Sequence, residues 1–162
     1  MPPLNVTIRP AEKTDLEAIN RVIESAVTSW QLPERVKRLS LPSYRYDALD
    51  FDHLEMVVAE DNRHQIVGIA AWEEADSKKT PGEQKALLLH GIYVEPSLHH
   101  QGIGRRLFQS AEQAVYKHAC HGLLVKAQNK ASEFFITQGM SQLQADDDLR
   151  QYANRFWKAI IC

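Results

Sequence analysis

Residues 92–107 read Ile-Tyr-Val-Glu-Pro-Ser-Leu-His-His-Gln-Gly-Ile-Gly-Arg-Arg-Leu. An apolar strand end, Ile92-Tyr93-Val94, runs into a polar loop; Gly102 and Gly104 follow, and a helix opens. The first backbone N–H groups of a helix have no intrahelical acceptor, and the helix dipole places partial positive charge there. Glycine lets backbone approach a ligand that a side chain would hold away. The loop His99, His100, Gln101, Gly102, Ile103, Gly104 and Arg105 therefore reads as an anion cradle suited to a pyrophosphate.

The surrounding pattern narrows the ligand. A dinucleotide fold needs a third glycine where Leu107 stands, and an acidic residue about 20 positions on, where the chain has Leu124-Val125-Lys126. A nucleotide P-loop needs Lys-Ser/Thr after its last glycine, and Gly104 is followed by Arg105-Arg106. A second block, Asn129-Lys-Ala131-Ser132-Glu-Phe134-Phe135-Ile-Thr-Gln-Gly139-Met140, lies downstream. Together the two blocks, in the order strand, helix, strand, helix, resemble the GNAT N-acetyltransferase superfamily. Phe135 stands where that family usually has Tyr, Met140 where it has Phe, and His99 where the loop usually begins with Arg or Gln.

The resemblance implies acetyl-CoA as cosubstrate, held by Ile92, Tyr93, Val94, the loop from His99 to Arg105, Asn129, Ser132 and Phe135. It implies an α/β fold: a mixed, mostly antiparallel central sheet of about six to seven strands, flanked by helices. The sheet would splay between the strands at 86–94 and 123–128. One domain over residues 3–162 is expected.

Composition agrees with one domain, since 162 residues can bury a proper core. A net charge of −2 favours neither nucleic acid nor a membrane surface as partner. No apolar run approaches the ~20 residues of a membrane span, and Met1-Pro-Pro-Leu-Asn5 lacks the features of a signal peptide, so a cytoplasmic location is expected. Cys120 and Cys162 are too few for a disulfide scaffold.

Along the chain, Val6–Arg9 reads as a first strand, and Thr14-Asp-Leu-Glu17 as a capping box opening a helix. Leu16, Ile19, Ile23, Ala26, Val27 and Trp30 recur at helical spacing behind it. A short helix over Glu34–Leu39 precedes an irregular stretch to residue 53, where the family resemblance places acceptor-specific elements. Leu54–Glu60 and Gln65–Glu73 read as a hairpin about Asp61-Asn-Arg-His64, and residues 74–85 as a mobile surface loop. A strand at Ala86–Val94, a helix at Gly104–His118, a strand at Leu123–Gln128 and a helix at Lys130–Gln138 capped by Gly139 follow. Met140–Gln144 and Arg155–Ile161 are the last strands, about the acidic turn Asp146–Asp148. The apolar end Phe156–Ile161 offers a homodimer edge.

Moving an acyl group from a thioester to an amine needs a base, because an alkyl ammonium has a pKa of about 10.4. His90 interrupts an apolar strand before Gly91, and an imidazole's reference pKa of about 6.5 suits the task. Glu95, at the strand's C-terminal end, is the second candidate. The two are an odd number of positions apart, so a bulge near Gly91 would be needed to turn them to one face. Phe135 has no proton to give the leaving thiolate; water, Tyr93 or Tyr152 would serve. Arg105 and Arg106 would reinforce the cradle. Trp30, Trp72 and Trp157 fit the core. His118, Cys120 and His121 lack a fourth ligand at useful spacing, so no metal is expected. Neither cysteine sits as an activated nucleophile, which favours direct attack in a ternary complex over an acyl-enzyme. The expected acceptor is a small-molecule or peptide amine. The other reading is a catalytically weak CoA or acyl-CoA sensor of the same fold.

Overall fold

The computed structural model describes residues 5–127, 131–143 and 155–160. Among these the chain forms strands β1 (Val6–Pro10), β2 (Glu55–Asp61), β3 (Ile66–Glu74), β4 (Ala86–Val94), β5 (Gly122–Lys126), β6 (Ser141–Gln142) and β7 (Arg155–Ala159). Its helices are α1 (Leu16–Thr28), α2 (Glu34–Tyr44), α3 (Ile103–Lys117) and α4 (Ser132–Thr137). Seven strands among the described residues join in the order β1-β2-β3-β4-β5-β7-β6. β1 with β2, β5 with β7 and β6 with β7 run antiparallel, and β4 with β5 runs parallel. This is the mixed, mostly antiparallel sheet expected, flanked by helices. β4 pairs with β5 from Ala86↔Gly122 to Leu89↔Val125 and then runs on to Val94, so the ladder stops where the splay was expected.

The chain packs as two compact units: residues up to Ala70 with Ile92–Leu107, and Ala71–Gly91 with the residues from Phe108 on. In the first, α1 buries Ile19, Val22, Ile23, Ala26 and Val27, one stripe at helical spacing. The expected capping box is displaced. Lys13–Asp15 is a 3-10 turn, and the Asp15 carboxylate, not Glu17, accepts from the Glu12 N–H at 2.8 Å. Asp15 is drawn there by Arg9, which forks onto it at 2.8 and 3.0 Å and reaches Glu60 at 2.9 Å. The bond from Arg9 holds the carboxyls of Asp15 and Glu60 below their ordinary range, against partial burial that pushes the other way.

A depressed carboxyl contributes stability above its unfolded pKa and loses it as pH falls through the lower folded value. Stability should therefore fall on acidification from about pH 4 downward. Asp15→Asn should be less stable at neutral pH and lose less on acidification. Urea midpoints measured across that range check this.

Residues 31–53 are more ordered than expected. The helix there runs through Pro42 to Tyr44, with no residue in the core and Val36 and Leu39 exposed. Tyr44 packs edge-on to Trp30 at 5.3 Å, so Trp30 is half-buried instead of central. The Asn20 amide clamps Tyr46, donating to its carbonyl at 2.8 Å and accepting from its N–H at 2.9 Å. Asp47 and Asp50 then cap a 3-10 turn over Ala48–Asp52 reciprocally. The hairpin turns at Asp61–His64, where the Asp61 N–H donates to the Gln65 carbonyl and His64 adopts a φ of 62°.

In the second unit Trp72, Leu87, Leu89, Leu123, Leu124, Val125 and Phe156 are buried. Residues 74–85 form two 3-10 turns, Ser77–Lys79 and Pro81–Glu83, instead of an unstructured loop. Thr80 holds them: it is buried, and its hydroxyl lies 2.8 Å from the Ser77 carbonyl and 2.7 Å from that of Gln84. Gly139, at φ 90°, closes α4 as expected. Lys158 reaches Glu112 and the Gln138 carbonyl, each at 2.8 Å, and lies over the Phe108 ring. Phe156 and Ile160 are buried, and β7 lies between β5 and β6 in the sheet. Asn129, Asp146–Asp148, Tyr152 and Cys162 lie outside the described residues.

Candidate cofactor loop and catalytic histidine

In the first unit, β4 ends at Val94. The Glu95 N–H donates to the Val67 carbonyl at 2.9 Å, so the strand's last bond is made by the residue expected to act as base or relay. Pro96–Leu98 is a 3-10 turn, with the Leu98 N–H donating to the Glu95 carbonyl at 2.9 Å. His100 and Gly102 then adopt φ of 65° and 84°. Gly102 pays little for that conformation, whereas His100 carries strain of the kind concentrated at ligand sites. A Cβ built on Gly102 would meet nothing within 4 Å, so its role is backbone conformation and not the avoidance of a clash.

Helix α3 begins at Ile103, and the Arg106 N–H donates to the Gly102 carbonyl at 3.1 Å. Ile103 and Leu107 are buried and pack against Gly68 of β3, where a Cβ would come within 3.2 Å of both. That close seat fixes the helix axis and leaves His99, His100, Gln101, Gly102 and Arg105 exposed. The helix's first N–H groups thus open beside an exposed loop, the arrangement an anion requires. Arg106, also expected at the cradle, donates instead to the Val6 carbonyl and ties α3 to β1.

Ile92, Tyr93 and Val94 are half-buried. Burial first, then the neighbouring Tyr46 and Tyr44, push the Tyr93 hydroxyl well above the ordinary phenol range. A thiolate whose conjugate acid has a pKa near ~8.5 draws a proton poorly from such a group.

In the second unit, His90 and Glu73 stand on β4 and β3, which are neighbours in the sheet. His90 Nε2 lies 3.4 Å from Glu73 Oε1, and the two side chains are 35% and 37% exposed. Glu73 was not singled out in the sequence; its partner is distant along the chain, and only strand pairing brings the two together. Phe135 lies in the core, 4% exposed. Its ring centroid is 5.2 Å from Phe134, 6.1 Å from Phe156 and 6.3 Å from Phe108. Phe135→Tyr should therefore destabilise the chain by about 1–3 kcal/mol, the cost of burying a hydroxyl without a partner, and should not raise kcat. Thermal melts beside turnover measurements check both. Ser132 opens α4 and is half-buried. Cys120 is buried, with its thiol 3.7 Å from the His118 carbonyl. Among the described residues no group of three His, Cys, Asp or Glu could hold a metal ion, and no helix is long and apolar enough to cross a membrane.

A family model described as the acetyltransferase (GNAT) family matches residues 20–140. The chain belongs to the GNAT family. The matched span holds the loop, both left-handed residues, His90 and the Phe134–Phe135 helix. Solved structures share the GNAT fold. PaiA N-acetyltransferase from Thermoplasma acidophilum, in complex with coenzyme A, is 14% identical, with a TM-score of 0.77 over 96% of this chain and 99% of that one. A GNAT acetyltransferase from Staphylococcus aureus Mu50 is 12% identical, with a TM-score of 0.73 over 97% and 100%. One from Brucella melitensis, in complex with acetyl-CoA, is 17% identical, with a TM-score of 0.65 over 98% and 90%. No curated protein matches this GNAT chain.

Proposed function

We propose that this chain is an acyl-CoA-dependent N-acetyltransferase. It would move an acetyl group from acetyl-CoA to a small-molecule or peptide amine by direct attack in a ternary complex. The observation that carries the reading is the exposed loop opening α3, with His100 and Gly102 both left-handed. The loop from His99 to Arg105 would hold the pyrophosphate through backbone N–H groups and the Arg105 guanidinium. Ile92, Tyr93 and Val94 would offer strand-edge backbone to the pantetheine arm, assisted by Asn129, Ser132 and Phe135.

His90 takes a proton from the amine nitrogen. The nitrogen forms its bond to the acetyl carbon as the C–S bond breaks, and the thiolate takes a proton from water. Glu95 is the second candidate, as the anchor of a water relay. The buried thiol of Cys120 supports attack without an acyl-enzyme.

Isothermal titration with acetyl-CoA, beside a thiol-release assay across a panel of amines, tests the reading. Binding with release on at least one amine supports it. Binding without release on any amine favours the CoA-sensing module, for which the loss of tyrosine at Phe135 is the argument. Absence of binding overturns both.

A further inference from the structure

We propose that Glu73 is a positioning residue for His90, and that it assigns Nδ1 as the atom that accepts the amine proton. This rests on the reading of His90 as the base. An ionised carboxylate accepts hydrogen bonds and cannot donate one. The ring nitrogen nearest Glu73 Oε1, 3.4 Å away in an ion-pair contact, is Nε2; a small turn of either side chain closes it to a hydrogen bond, and in that bond neutral His90 carries its proton on Nε2 and its lone pair on Nδ1. When Nδ1 takes the amine proton, the ring becomes an imidazolium whose Nε2–H still faces the carboxylate. The proton then leaves Nδ1 for solvent, and the ring returns to the same tautomer.

The backbone beneath the pair is held firmly. Trp72 and Leu89, the residues just before Glu73 and His90, are 2% and 1% exposed, so each strand is anchored in the core one residue from the functional side chain. The pair itself is more than a third exposed on each side. An ion pair that open contributes little to stability, so folding alone gives little reason for this placement. An orienting partner that sets tautomer and ring angle is a recurrent arrangement for a working histidine.

The test uses the full chain, with His90 ring nitrogens read by long-range ¹H–¹⁵N correlation and kinetics measured with an acceptor found by screening. In the wild type at pH 8 the spectrum should show the Nε2–H tautomer. Glu73→Gln can turn an amide N–H toward Nε2 and should populate the Nδ1–H form. Its kcat should fall about 10- to 100-fold, with KM for acetyl-CoA unchanged. Glu73→Leu, which offers no partner, should show mixed tautomers and a fall in kcat of the same order. The double variant with His90→Gln should be no slower than His90→Gln alone. An Nδ1–H tautomer in the wild type, or wild-type kcat in both Glu73 variants while His90→Gln is slow, overturns the proposal for Glu73 alone. Full activity in His90→Gln overturns the base assignment beneath it, whatever tautomer the spectrum shows.

Discussion

Gly104→Glu is expected to lower affinity for coenzyme A by about 100-fold or more, equivalent to roughly 2.7 kcal/mol, while leaving the fold intact. Gly104 is the second residue of α3, immediately after Ile103. A glutamate there would set a carboxylate among the N–H groups that receive the pyrophosphate, replacing attraction by repulsion. A carboxylate in the first turn also suits the helix dipole, so the helix itself should not suffer. Gln113→Glu adds the same charge at an exposed position farther along α3 and should leave affinity unchanged. Calorimetric titration of both variants separates a loop effect from a general charge effect. Wild-type affinity in a folded Gly104→Glu protein would remove the loop from the cofactor site.

The second large effect concerns His90. His90→Gln is expected to lower kcat about 100- to 10,000-fold, the usual contribution of a positioned general base, and to flatten the acidic limb of the kcat/KM profile. Glu95→Gln should cost less and leave that limb in place, because a relay anchor places water without itself taking the proton. The Glu95 backbone bond to Val67 does not depend on the side chain, so the strand end survives the substitution. Profiles of both variants across pH decide between the roles. Loss of the limb in Glu95→Gln, with retention in His90→Gln, would exchange them.

These assignments were legible to different depths. The strand, loop and helix around Gly102 could be read because their signal is local: two glycines, a strand before and a helix after. The Ala86–Val94 strand and the α1 stripe were equally open, since burial imprints a period on the chain. Helix α2 was read too short because it buries nothing and so carries no period, and because Pro42 reads as a stop although it sits within the last turn. The capping box slipped because Arg9, distant from any capping rule, claims Asp15. Arg106 looked like a phosphate ligand because its carbonyl partner on Val6 is a tertiary contact. Glu73 was missed for the same reason: no short-range pattern marks a carboxylate that meets its histidine across two strands. Beyond α2, the Asp47-x-x-Asp50 spacing was passed over although it marks a reciprocal cap of two aspartates.

Helix α2 bears on how this enzyme class diversifies. With no side chain in the core, its exposed positions are nearly free of folding constraint, since surface substitutions usually shift stability by no more than about 0.5 kcal/mol; Lys37, with a side chain 12% exposed that donates to the Thr28 carbonyl at 2.9 Å, is an exception. What holds the segment lies largely at its margins: the Trp30–Tyr44 ring contact and the Asn20 clamp on Tyr46. A lineage can therefore rewrite α2 as a cassette between fixed clasps, trying new surfaces while the loop and the histidine go on unchanged.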